Sequence, residues 1–174
     1  MNLKKQTLGI AFAIVTALTM TASIVFGQGF QNSQSPSDAG EKTIQGVWRT
    51  VVTFRNCQTG DPIPNVPSFP GLFTFNEGGT MSEYGISPGL TPALRSPGHG
   101  IWRREHGWQE YSFSFIMYRY NASGVFLGPQ KVTAELELGA SGDEFTSSSS
   151  VQLFDANNSL TFNGCATAVG TRFE

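Results

Sequence analysis

The sequence predicts an all-β fold, a closed antiparallel up-and-down barrel of eight strands. No segment beyond the N-terminal region keeps the 3.6-residue apolar period of an amphipathic helix. Apolar and polar residues instead alternate over short segments, and 20 Gly and 9 Pro supply the turns between them. An open sheet of this kind would leave two exposed edges, which closure removes, so we favour a barrel over the alternative, a two-sheet sandwich.

Residues 1–27 have the composition of an export signal. Lys4 and Lys5 form a basic start, Leu8–Phe26 is an apolar run, and the small Gly27 precedes the expected cleavage point. We predict a signal peptide here, and therefore a secreted or periplasmic protein. An uncleaved anchor is the alternative, because the apolar run almost spans a bilayer. We expect no membrane span after removal of the signal.

The rest of the chain divides into a linker and one domain. Residues 28–42 are polar and rich in Ser and Gln, which predicts a flexible linker. Residues 43–174 form the predicted barrel, for which 11 of the 14 Phe of the chain provide ample core material. The formal net charge is −2, and loss of residues 1–27 would remove two Lys and no acid, leaving −4. A basic footprint is therefore missing, and we exclude nucleic acid as a partner.

Each strand is predicted from its own alternation. In the first, Trp48, Val52 and Phe54 share a face. Prolines between Asp61 and Pro70 interrupt the ladder, and Asn76–Gly79 is a hairpin turn. The strands we predict, in chain order, are Ile44–Arg55, Leu72–Phe75, Thr80–Tyr84, Ile101–Glu105, Trp108–Tyr120, Lys131–Leu138, Glu144–Phe154 and Leu160–Phe173.

Two cysteines, Cys57 and Cys165, lie near opposite ends of the domain. In an exported protein such a pair favours a disulfide, and a barrel would bring the first and last strands together. Two buried thiols are the alternative.

Two short motifs give the chain a resemblance. A Gly-Val-Trp at residues 46–48 and a Gly-Thr-Arg at residues 170–172 resemble the lipocalin-like (calycin) barrels, in a minimal version without the usual helix before the last strand. Barrels of the allene oxide cyclase type are also similar. The resemblance implies that Trp48 closes the barrel base and that Arg172 packs over its ring.

An aromatic set is the candidate lining of an interior cavity. Its members are Phe73, Phe75, Tyr111, Phe113, Phe115 and Phe162. The alternative is that these rings simply fill the core. His99 and His106 lack the spacing of metal ligands, so we expect no metal site and no cofactor. Catalytic residues stay unassigned, because no nucleophile motif is present.

From these features we expect a binding barrel that holds a small apolar molecule in its interior. Two alternatives stay open: an enzyme of the cyclase or isomerase type, with a polar group such as Glu83 or Tyr111 inside the barrel, and a non-catalytic interaction module of the cell envelope. The sequence sets neither the ligand nor the oligomeric state.

Overall fold

The computed structural model describes residues 42–86, 91 and 94–173. The predicted signal peptide and almost all of the predicted linker lie outside these residues. Eight strands follow one another: β1 Gly46–Arg55, β2 Phe69–Phe75, β3 Thr80–Gly85, β4 Gly98–His106, β5 Glu110–Tyr120, β6 Phe126–Leu138, β7 Glu144–Phe154 and β8 Leu160–Arg172.

The strands form one closed barrel in which each is antiparallel to the next, β1 to β8, and β8 pairs with β1. The closing ladder runs from Trp48 opposite Arg172 to Arg55 opposite Cys165. The predicted eight-stranded antiparallel barrel is confirmed, and the two-sheet sandwich is excluded.

Four strands are longer than the sequence suggested: β3 gains only Gly85, β4 extends at both ends to Gly98–His106, and β2 and β6 begin earlier. β2 begins at Phe69 and includes Pro70, which lies opposite Val51. β6 begins at Phe126 and includes Pro129, opposite Tyr118. The expectation that Pro70 interrupts the ladder was wrong, because a proline removes a single donor while its carbonyl stays free to accept.

Alternation along the strands divides the side chains between the interior and the outer wall. On β6, Val132, Ala134, Leu136 and Leu138 are buried, and the residues between them are exposed. Strands β1, β3, β5 and β7 finish at one end of the barrel, here the upper end; β2, β4 and β6 finish at the lower end, where Trp48 also lies. The interior holds the apolar core of the domain.

The predicted disulfide is confirmed. Cys57 and Cys165 are bonded, with their Cα atoms 5.3 Å apart, and the bond joins positions 108 residues apart in sequence. It connects the chain just after β1 to the outer face of β8. No helix among the described residues is long and apolar enough to cross a membrane.

Candidate functional site

The lower end of the barrel is closed by Trp48. Its side chain is fully buried, and its indole N–H donates to the carbonyl of Ile44 at 2.8 Å. The guanidinium carbon of Arg172 lies 4.3 Å from the centre of the Trp48 ring. Arg172 also donates to the carbonyls of Gln45 and Thr43, at 2.7 and 2.8 Å. These bonds hold the segment before β1 across the base.

Five of the six candidate rings meet inside the barrel. Phe73, Phe75, Tyr111, Phe113 and Phe115 are all at most 6% exposed. The centre of the Phe73 ring is 5.6 Å from that of Phe113 and 6.2 Å from that of Phe75. These rings therefore line the interior and also pack against one another.

The sixth ring, Phe162, is not part of this group. It is 54% exposed, and its neighbours on residues 160–163 of β8 are exposed as well. The prediction that Phe162 belongs with the interior rings was wrong, because the start of β8 extends beyond the core at the upper end. Its place is taken by Phe145, which is 1% exposed and packs edge-on against Trp48 with ring centres 5.0 Å apart. The available signal was that Phe145 shares a strand face with Ser147 and Val151, between exposed residues of β7.

Glu83 and Arg95 form an ion pair inside the upper half of the barrel. Glu83 is 6% exposed, and so is Arg95, which comes from the β3–β4 connection. Arg95 also donates to the carbonyl of Gly85 and, through Nε at 3.0 Å, to that of Ser96. Burial raises the pKa of the Glu83 carboxyl above its ordinary value, and the hydrogen bond and charge of Arg95 oppose this rise.

Two buried hydroxyl groups in the interior have no partner among the described residues. They are Thr50 Oγ1 and Tyr111 Oη, on side chains that are each 2% exposed. The Tyr111 ring lies beside Trp102, with ring centres 5.9 Å apart, and the Arg104 guanidinium lies 5.8 Å from its centre. Burial of a hydroxyl group without a hydrogen-bond partner is unfavourable. A ligand group that forms a hydrogen bond with the Tyr111 hydroxyl would therefore be stabilised there.

The charged segment of β4 lies on the outer wall. Arg103 donates through Nε to the Glu105 carboxylate at 2.6 Å, and the Ser112 hydroxyl donates to the same oxygen. The hydrogen bond from Ser112, and then that from Arg103, lowers the pKa of Glu105. The Nδ1 atom of His106 lies 3.2 Å from Oε2 of Glu110, and both side chains are exposed. Within the described part of the chain, no group of His, Cys, Asp or Glu is arranged to hold a metal ion.

The described residues line two concavities of the barrel wall. The larger, about 1460 Å³, is lined by residues of β4 to β8 and of the end of β1, and Tyr111 and Phe113 of the aromatic set are among them. The smaller, about 590 Å³, lies over β8, β1, β2 and β3 and is mainly apolar.

Comparison with known proteins does not assign the chain to a family. No protein-family model matches it, and no curated protein is significantly similar to it. The eight-stranded closed antiparallel barrel is compatible with a calycin-like fold.

Proposed function

We propose that this chain is an exported, lipocalin-like binding protein that holds a small, mostly apolar molecule inside its barrel. The apolar inner wall supports this proposal, since small-molecule sites are lined mainly by hydrophobic and aromatic side chains with few polar groups. The observation that carries it is the Tyr111 hydroxyl, which is buried among rings and has no partner in the described structure.

The ligand that fits this interior is apolar apart from one hydrogen-bond acceptor. An acceptor near Tyr111 Oη would recover a hydrogen bond whose absence costs about 1–3 kcal/mol. The rings now in contact must move apart to admit such a molecule. Met81, which is 2% exposed and belongs to the same buried cluster as the rings, has a flexible side chain that can change its rotamer.

Export is part of the proposal. A disulfide between Cys57 and Cys165 is typical of secreted and periplasmic proteins, because the cytosol keeps thiols reduced. The N-terminal Lys4, Lys5 and apolar run are those of a signal peptide. An oxidising compartment would keep the β1–β8 closure covalently linked.

A catalytic role is less well supported. Among the buried side chains, the Glu83 carboxyl group most resembles a general base. Its pKa is raised, as the pKa of catalytic carboxyl groups commonly is. However, Arg95 donates to both of its oxygens. A proton acceptor at this position would first have to lose its partner, so we place binding ahead of catalysis.

Titration with a neutral fluorescent dye that carries one carbonyl group, such as Nile red, tests the proposal. The protein is recovered after export from cells that express the whole chain. We expect saturable binding, about fivefold weaker in Tyr111→Phe, which corresponds to roughly one hydrogen bond. Tyr118→Phe is the matched control, because Tyr118 lies on the same strand but is 47% exposed on the outer wall. Absence of saturation, or an equal loss in both variants, would refute interior binding.

A further inference from the structure

An apolar groove lies on the outer wall where the barrel closes, over β8, β1, β2 and β3. It has a volume of about 590 Å³. We call it the apolar groove; the outward side chains that line it are Arg49, Val51, Pro70, Leu72, Tyr84, Ile86, Val169 and Thr171. Val51 and Val169 are each 54% exposed and Leu72 is 48% exposed. Exposed apolar side chains on a monomer are usually scattered singly, so a contiguous group of them indicates a binding surface.

The strand register sets these side chains in two neighbouring rows. Arg49 lies between Thr171 and Leu72 in one row, and Leu72 lies opposite Tyr84. Val51 lies between Val169 and Pro70 in the other. Four strands at about 4.8 Å spacing make the groove roughly 14 Å long. That length and volume are of the size that small ligands occupy.

One edge of the groove carries a positive charge. The Arg49 guanidinium lies 5.9 Å from the centre of the Phe173 ring, which is itself 57% exposed. No carboxylate of the described residues lies within ion-pair distance of Arg49. The groove therefore joins an apolar floor to a cation that has no acidic partner there, although the chain as a whole carries a formal charge of −2.

We propose that the apolar groove is a second binding site, and that its ligand is a small amphipathic anion such as a medium-chain carboxylate. The acyl chain lies along Val51, Leu72 and Val169, and the carboxylate pairs with Arg49. This site goes beyond the proposed interior one: it differs in position, on the other side of the sheet, and in the charge of its ligand.

Calorimetric titration of the exported protein with decanoate tests the site. We expect Arg49→Gln to weaken decanoate binding about fivefold, as loss of an exposed charge pair would. Arg49→Glu should abolish it and instead favour decyltrimethylammonium, which has the same chain and the opposite charge. Arg103→Gln, at an exposed arginine on β4, is the matched control and should leave the affinity unchanged. Equal binding of decanoate by the wild type and Arg49→Glu, or by wild type and Arg49→Gln, would overturn the proposal.

Two further measurements test whether the groove is independent of the interior site and whether a second copy of the chain covers it. Val169→Glu should abolish decanoate binding and leave Nile red binding intact, because the dye enters the interior. If the variant loses the binding of both ligands, or keeps the binding of both, the groove is not an independent site. Light scattering should give the monomer mass with and without decanoate. A dimer that Val169→Glu dissociates would show that a second copy, and not an anion, covers the groove. Failure of Nile red binding refutes the interior proposal and leaves this one standing.

Discussion

Glu83 and Arg95 are charged groups held inside a barrel whose other inner side chains are mostly apolar. Burial of a carboxylate is costly, and a partner repays the cost only when its geometry satisfies both oxygens. Arg95 does contact both oxygens, yet the pKa of Glu83 is still raised, because the effect of burial is the larger one. The carboxyl group therefore makes stability depend on pH.

We expect this dependence to run opposite to that of a carboxylate whose pKa is lowered by folding. Since the native state binds the Glu83 proton more tightly than the unfolded chain, the free energy of unfolding falls as pH rises from the ordinary value of 4.5 through the raised pKa. Glu83→Gln should lack this fall. Urea unfolding of both proteins over a series of pH values, compared as a difference, removes the contribution of Glu105 and other groups. Parallel curves for the two proteins would contradict the prediction.

Tyr111 should contribute to stability and to binding with opposite signs. Removal of a buried hydroxyl that has no partner relieves its desolvation penalty, so Tyr111→Phe should raise the free energy of unfolding of the ligand-free protein by about 1 kcal/mol. The exposed Tyr118→Phe should change it by less than about 0.5 kcal/mol. Urea unfolding without dye measures both. A destabilised Tyr111→Phe would mean that the hydroxyl already has a partner, and would remove the main support for the interior site.

At the scale of the element, β4 and β5 approach closely because Gly100 has no side chain. A Cβ at Gly100 would lie 1.9 Å from the carbonyl oxygen of Ser114, a backbone atom that cannot move independently of β5. At Gly164 on β8, a Cβ would lie 2.7 Å from the Phe162 ring, and that exposed ring can rotate away. The two glycines therefore differ in what their replacement must displace.

We expect Gly100→Ala to lower the free energy of unfolding by several kcal/mol, on the order of 3, as overpacking does. Gly164→Ala should cost less than about 1 kcal/mol, because only a side chain moves. Thermal or urea unfolding of the two variants checks this contrast. Similar losses in the two variants would show that β4 and β5 are not held as closely as described.

Strand positions were predictable because alternation is a local signal. Glu144–Phe154 was predicted with the bounds that the structure has, and the clean alternation from Val132 to Leu138 correctly marked the inner face of β6. Alternation does not predict in the same way whether a side chain is buried in the core or lies beyond it. Phe162 alternates correctly but lies beyond the core, because nothing in the local pattern tells how far a strand extends past the packed region.

The ion pair between Glu83 and Arg95 could not be predicted from the sequence either. Glu83 was a candidate for an interior polar group, and it lies two residues from the buried Met81, on the same face of β3. Arg95 comes from a connection with no regular period, so its burial depends on how the chain crosses the upper end. Such a contact is set by tertiary packing and leaves no local pattern to recognise.

At the scale of the whole molecule, closure joins the two ends of the domain. The β1–β8 ladder spans eight residue pairs, and the Cys57–Cys165 disulfide lies at its upper end. A bond between positions 108 residues apart restricts the unfolded chain strongly, by roughly 4–5 kcal/mol in the chain-entropy model.

Replacement of both cysteines by serine should therefore lower the free energy of unfolding by roughly 4–5 kcal/mol while the native far-UV spectrum is kept. Urea unfolding of the variant beside the oxidised wild type measures the loss. Reduction of the wild type with dithiothreitol should give the same value as the double variant. An unchanged stability in either case would mean that the unfolded chain gains little freedom from an open β1–β8 junction.

The interior site is tested most directly by fluorine NMR of the protein labelled with fluorotyrosine. The chain has four Tyr, at positions 84, 111, 118 and 120. Tyr111 lies in the interior, Tyr84 borders the apolar groove and Tyr118 is on the outer wall. The interior model predicts that saturating Nile red shifts the Tyr111 signal, identified by its absence in Tyr111→Phe, and leaves that of Tyr118 in place. A spectrum in which Tyr111 is unmoved while the dye is bound would contradict it.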